Sequence, residues 1–334
     1  MKAMKVDSRT GCAGSLLALC LCLLLTACAP AGGGEDDTAG SVSGGGAVSP
    51  AELTSPPAGG SDVEPIVCLT CRIIDGAEDG SLLLAALSAP LAEGCGSARD
   101  SLHDGRSVYR LALAEDTPVY LDGAAADASV LEDGMPLEIT FNGTVLETFP
   151  AQLGEVYGVY GHSIGTAQNP GGGLYDLCGL YLQALDDLWH KDPALNENIT
   201  IAGLDLSQAP GDLLESEAAA LAWRFGELHG VEVVTGTFET LRDQGYFAAS
   251  EISAPAPKEG DEPRPKLYEW PDGCLFSIRP NGNHTEEMYS LPTIFFDVEK
   301  WKSPLAAYVL YDCCAVWPAA GTWSGYQVGS EMIS

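Results

Sequence analysis

Basic residues are scarce: 16 Lys+Arg stand against 47 Asp+Glu, a formal net charge of −31 over 334 residues. Nucleic acid is thereby excluded as a partner, because binding to it is driven by Lys and Arg neutralising phosphates. An anionic membrane surface is excluded as an electrostatic partner for the same reason. Common catalytic motifs are missing too. There is no H-E-x-x-H, no G-x-S-x-G and no EF-hand loop. The Gly-rich run Asn169-Pro170-Gly171-Gly172-Gly173 lacks the Lys of a phosphate-binding loop. Of five histidines (His103, His162, His190, His229 and His284), His190 has a possible metal spacing, four residues after Asp186 on a helix. The pattern is read as a solvated helix surface, its imidazolium favoured by the helix C-terminal dipole. Neither a cofactor nor a metal is expected.

What is present begins with a core: 46% of residues are hydrophobic, enough to exclude global disorder. Length suggests about two domains. The first 27 residues read as an export signal. Lys2, Lys5 and Arg9 precede an uncharged Leu-rich stretch, Leu16 to Leu25, and Thr26-Ala27-Cys28 follows it. The dense apolar part is Ser15 to Ala27, short of the roughly 20 residues a membrane span needs. Pro30 and Gly32-Gly33-Gly34 end it at once.

Leu25-Thr26-Ala27-Cys28 resembles the lipobox of bacterial lipoproteins. The resemblance implies cleavage before Cys28 and a diacylglyceryl thioether on its sulfur, so the chain is tied to the membrane through lipid. Each buried methylene adds about 0.8 kcal/mol, and two or more chains make the attachment stable. Cleavage removes Lys2, Lys5, Arg9 and Asp7, a net +2, leaving −33. Such a polyanion is expected at the outer leaflet of the cytoplasmic membrane, facing the cell wall and standing away from the lipid surface. Residues 29–65, rich in Gly and Pro with six acidic and no basic residues, read as a disordered tether. Its r.m.s. reach is roughly 30–35 Å.

Residues 66–153 carry short β runs: Ile66–Ile74, Ser81–Ser88, Ser107–Ala114, Pro118–Leu121, Met135–Phe141 and Thr144–Phe149. Asp122-Gly123 and Asn142-Gly143 are hairpin signals between them. Five or six strands in this length point to a small closed barrel. The run Glu147-Thr148-Phe149-Pro150-Ala151-Gln152 resembles the closing strand of a small OB-like barrel in uncharacterised lipoproteins of Gram-positive and gut bacteria. That resemblance carries no activity with it. Residues 154–173 read as a Gly-rich linker.

From 174 to 334 the pattern predicts helices at Leu174–His190, Ser216–His229 and Thr237–Gly245, with short strands at Ile199–Leu206 and Val231–Thr235. Four β runs close the chain: Gly273–Pro280, Thr293–Lys302, Leu305–Trp317 and Thr322–Gly329. This order predicts an α+β domain with helices packed on an antiparallel sheet. It resembles, at the level of topology, the cone-shaped nuclear transport factor two superfamily. Trp270, Phe276, Phe295, Phe296, Trp301, Tyr308, Tyr311, Trp317, Trp323 and Tyr326 either line a pocket there or fill its core.

Of eleven cysteines, Cys12, Cys20 and Cys22 leave with the signal and Cys28 is the lipidation site. Seven remain, an odd number: Cys68, Cys71, Cys95, Cys178, Cys274, Cys313 and Cys314. Export permits disulfides, Cys178 with Cys313 among the conceivable pairs. Cys68-Leu69-Thr70-Cys71 has redox spacing, but on a strand residues three apart point to opposite faces, so a structural role is expected. The functional expectation is a non-catalytic extracytoplasmic protein that binds an envelope ligand or protein partner. A hydrolase sited in the C-terminal domain and a structural module of the envelope are the alternatives.

Overall fold

The computed structural model of the chain describes residues 66–87, 107–163, 177–211, 213–249, 266–282, 293–316 and 323–334, all within one compact unit. The signal segment, the lipobox with Cys28, the tether, Cys95, the Asn169–Gly173 run and Trp317 lie outside the described residues. Among the described residues no helix is long and apolar enough to cross a membrane.

Nine strands form the first sheet: β1 (Val67–Asp75), β2 (Ser81–Ala86), β3 (Val108–Ala112), β4 (Val119–Leu121), β5 (Ala124–Ala126), β6 (Pro136–Phe141), β7 (Val145–Leu146), β8 (Ala151–Leu153) and β9 (Val156–Gly161). Their order is β5-β4-β9-β6-β1-β2-β3-β8-β7, with β3–β8 and β4–β9 parallel and the other neighbours antiparallel. Leu69, Cys71 and Ile73 of β1 share a face with Leu137, Ile139, Leu82 and Leu84, and together they fill one apolar cluster. A slip of one residue would move that set out of the cluster to the sheet's other face, where Ile74, Leu83 and Ala85 meet the helices, so the packing on both faces specifies the register. Asp122 (φ 51°) and Gly123 (φ 82°) make the tight turn from β4 to β5, where both central residues need positive φ.

The expected closed OB-like barrel is not formed. Only Gly154 and Glu155 separate β8 from β9, so Leu153 and Val156 lie three Cα steps apart, at most about 11 Å. In the strand order they are five steps apart, about 24 Å in a flat sheet. The sheet therefore curls until β3 and β8 face the start of β9 and the approach to β4 across a hollow of about 690 Å³. No ladder bridges it, and the sheet stays open and mixed. Residues 156–161, expected as part of a loop, are a strand flanked by β4 and β6.

The second sheet contains β10 (Ile201–Asp205), β11 (Glu232–Thr235), β14 (Gly273–Pro280), β15 (Thr293–Ser303), β16 (Ala306–Val316), β17 (Ser324–Gln327) and β18 (Ser330–Ile333). A separate two-stranded ladder joins β12 (Ala248–Ala249) and β13 (Tyr268–Glu269). The main order is β11-β10-β14-β15-β16-β17, with β18 also on β16. β10 pairs in parallel with both neighbours, β11 and β14. That overturns the expected helices on an antiparallel sheet, and the cone with it: the molecule is mostly β, built on two large mixed sheets, with three helices among the described residues. The helices are α1 (Leu177–His190), α2 (Glu215–His229) and α3 (Phe238–Asp243).

Parallel neighbours need crossovers, and crossovers are right-handed. From β10 the chain moves through α2 to β11 on one side, then returns past α3 to β14 on the other. Opposite directions with one hand put α2 and α3 on opposite faces. The packing agrees: Leu241 of α3 joins Trp270, Phe247 and Leu275, while α2 joins the cluster that holds α1. Gly203 in β10 admits the α3 side, because a Cβ there would stand 2.8 Å from Trp270 Cζ3 and 3.0 Å from Leu241 Cδ1.

α1 and α2 run parallel. Cys178 Sγ meets Glu217 O (3.9 Å) near their starts, and Asp186 meets His229 near their ends. Their shared cluster takes Ile74, Leu83, Ala85 and Val108 from the first sheet and Phe276, Phe296, Val298 and Leu310 from the second. The helix pair is thus a layer between two sheets. This explains why α1 buries more than a single stripe: Leu180 and Ala184 are buried as well as Leu177, Cys178, Tyr181, Leu185 and Leu188.

Scarce cations pin this layer. Arg72 of β1 donates to Glu217 Oε1 (2.8 Å) and Gly134 O (2.9 Å), and Arg224 of α2 pairs with Asp75 (2.5 Å). Lys300 of β15 is fully buried, and its ammonium donates to the carbonyls of Trp189, Lys191 and Asp192 and to Asn196 Oδ1. These carbonyls lie at the C-terminal end of α1, where a cation is favoured. Burial still pushes the Lys300 pKa below its ordinary value.

Gly203→Ala should lower stability by about 1–3 kcal/mol through overpacking against Trp270 and Leu241. Urea unfolding measures it, and an unchanged midpoint would mean the α3 side packs less closely than described.

Candidate functional site

Open α/β sheets bind ligands at the carboxyl ends of parallel strands, where crossovers diverge. In this chain that place is the end of β10 and β11. A crevice of about 420 Å³ lies there, floored by Leu204, Leu206, Leu213, Leu214 and Ala218 and edged by Asp205, Ser207, Glu215, Thr235 and Gly236. Asp205 ends β10, and its Oδ1 accepts from Ser207 N (3.1 Å) and Ser207 Oγ (2.7 Å). That turn holds the carboxylate at the mouth.

The start of α2 forms the opposite wall. Glu217 is already engaged twice: Oε2 accepts from Leu214 N (2.9 Å), and Oε1 takes Arg72. A carboxylate of the chain itself thus already caps this helix entrance. With Asp205 and Glu215 at the edge and no Lys or Arg among the lining residues, the crevice favours groups that donate hydrogen bonds or carry positive charge.

Three other polar clusters lie among the described residues. At a bulge in the β15–β16 pairing, Asn281 Nδ2 donates to Asp297 Oδ1 (2.8 Å) and Asp312 Oδ1 (2.7 Å), and Asp312 N donates to Asp297 Oδ1 (3.0 Å). Asp312 holds φ 52° in mid-strand. The bonds knit three strands together and face inward on one another. In the first sheet, fully buried Glu138 stands in register with Thr70 and Tyr160, with His162 Nε2 3.9 Å from its carboxylate. Burial pushes the Tyr160 hydroxyl up to about 12.

The third cluster contains the sequence-derived pair. Asp186 and His190 do sit together, Nδ1 to Oδ1 at 3.6 Å, and His229 from the end of α2 joins them at 3.5 Å. The His229 ring stacks on Trp189 with centroids 4.2 Å apart. His229 escaped sequence reasoning because nothing in the chain says that two parallel helices end side by side. Among the described residues no group of three His, Cys, Asp or Glu is arranged to hold a metal.

Cys68 is disulfide-bonded, whereas Cys71, Cys178, Cys274, Cys313 and Cys314 form no disulfide. The conceivable Cys178–Cys313 bond is thus not made. Cys68 and Cys71 do not pair with each other either, and burial pushes the Cys71 thiol far above its ordinary range. Of the aromatic set, Phe276 and Phe296 are buried against the helices and Trp270 beneath α3. They are core.

His229 generates a pH dependence. Burial holds its pKa below the ordinary value, Asp186 pulls it up and His190 pushes it down. The unfolded chain takes the proton near pH 6.5 and the folded chain at lower pH. Stability from this group is present above that pH and is lost as pH falls through the folded value. Urea unfolding at pH 7.5 and 5.5 should show a larger loss for the wild type than for His229→Phe, and equal losses would contradict the assignment.

No family model matches the chain, and neither a curated protein nor a solved structure matches it, so the site is read from its own geometry.

Proposed function

We propose that the chain is a lipid-anchored extracytoplasmic binding protein whose crevice beside Asp205 takes a small, amine-bearing, hydroxyl-rich solute. The observation that carries this reading is the crevice itself, an apolar floor with two carboxylate residues at the edge and no cation among its lining residues. Donor-rich ligands exchange water for charge-assisted hydrogen bonds there. The lipobox Leu25-Thr26-Ala27-Cys28 supports attachment through Cys28. The disulfide at Cys68 suits an oxidising compartment outside the cytoplasm.

Thermal shift of the full-length protein with glucosamine, glucose and glucuronate tests the crevice. A ligand at tenfold its Kd adds about 1.4 kcal/mol, which is a few degrees in Tm. Glucosamine should raise Tm most and glucuronate not at all, and Asp205→Asn should remove the shift. No shift with glucosamine, or one unchanged in Asp205→Asn, would overturn the reading. Cys28→Ala should release the protein from the membrane fraction without altering the crevice.

A further inference from the structure

β11 is the last strand of its sheet. Its pairing with β10 engages alternate residues: Glu232 N donates to Thr200 O (3.0 Å), and Gly236 N donates to Leu204 O (3.0 Å). Glu232, Val234 and Gly236 thus turn their backbone groups toward β10. Val233 and Thr235 turn theirs outward, where no described strand receives them. Exposed edges are usually blunted by Lys, Pro or a bulge. This one has none, and its only charge is Glu232.

Beside that edge lies a groove of about 390 Å³ between β11 and α2. Trp223 and Ala222 of α2 line it, Val233 leans toward α2 at Gly226, and Phe149, between β7 and β8, lines it too. Phe149 is 67% exposed, a large apolar ring left in water. The Arg110 guanidinium lies over the Trp223 ring, 5.7 Å from its centroid, and steadies the indole. The charged residues lining the groove are Glu227 and Glu232, in a chain of net charge −31.

An open edge supplies main-chain hydrogen bonds, and an adjacent groove supplies side-chain selection. We propose that β11 and the Trp223–Phe149 groove form a docking site for an extended basic segment of a partner protein, which adds to the sheet as a strand. Alternate apolar side chains of that segment enter the groove, and its Lys or Arg residues meet Glu227 and Glu232. The site is separate from the Asp205 crevice, although Thr235 borders both.

The probe is a fluorescent ten-residue peptide alternating Val and Lys, titrated into the full-length protein by anisotropy. Its controls alternate Val with Glu, or carry Pro at every second Val. The Val–Lys peptide should bind and should slow amide exchange at Val233 and Thr235, and the controls should bind at least tenfold more weakly. Val233→Pro removes an outward N–H and leaves the β10 ladder intact, because an edge strand tolerates Pro where its N–H faces solvent. With an unchanged urea midpoint it should lose at least tenfold in affinity. Should Val233→Pro not fold, Glu227→Lys with Glu232→Lys serves instead and should favour the Val–Glu peptide. Asp205→Asn should leave peptide binding unchanged, which separates this site from the crevice. Absent binding, equal binding of the Pro-interrupted peptide, or binding without protection at Val233 would each overturn the proposal.

Discussion

The burial of α1 and α2 between two sheets is the constraint on which the rest of the molecule depends. Neither sheet could cover its helix-facing residues alone: Leu83, Ala85 and Val108 of one and Phe276, Phe296 and Val298 of the other meet in a single cluster through these helices. Most ion pairs on a protein surface contribute little. Here the few cations work where water is thin. Arg72 joins the start of α2 to β1, and Lys300 joins the end of α1 to β15. The Lys300 ammonium is satisfied by helix-end carbonyls and an amide oxygen instead of a carboxylate. A buried charge of that kind is tolerated only when it is fully hydrogen-bonded.

The same layer shapes the crevice. α2 lies against the first sheet and α3 on the opposite face of the second, and the crossovers part at the ends of β10 and β11. Glu217 caps α2 and binds Arg72 at once, so the wall of the crevice and the seam between the sheets share one side chain. Residues that line the crevice and residues that hold the layers together are therefore adjacent in sequence, from Leu213 to Ala218.

Local elements were legible in the chain. Gly273–Pro280 is a strand with the expected bounds, Thr237 caps α3 through Thr240 N, and Gly230 ends α2 at φ 65°. Each is set by neighbours a few residues away. Pairing between distant segments was not legible. Alternation in Ile199–Leu206 marks a strand but does not say that both its neighbours run parallel to it. Gly154, Gly158 and Gly161 suggested a loop, yet Gly158 and Gly161 sit where a Cβ would press on Tyr160 or Met135 in the first sheet. Glu138, between Leu137 and Ile139, reads as a solvent-facing position and is fully buried. The crevice residues Asp205 and Glu215 looked like any others in so acidic a chain. Only the topology brings them to one opening.

If the helix pair is common property, the two sheets cannot melt apart. Differential scanning calorimetry of the full-length protein tests this directly, because a cooperative unit unfolds with equal calorimetric and van't Hoff enthalpies. The shared layer predicts one transition with a ratio near unity for the whole folded region. Two resolved transitions, or a calorimetric enthalpy well above the van't Hoff value, would show independently folding sheets and contradict the account.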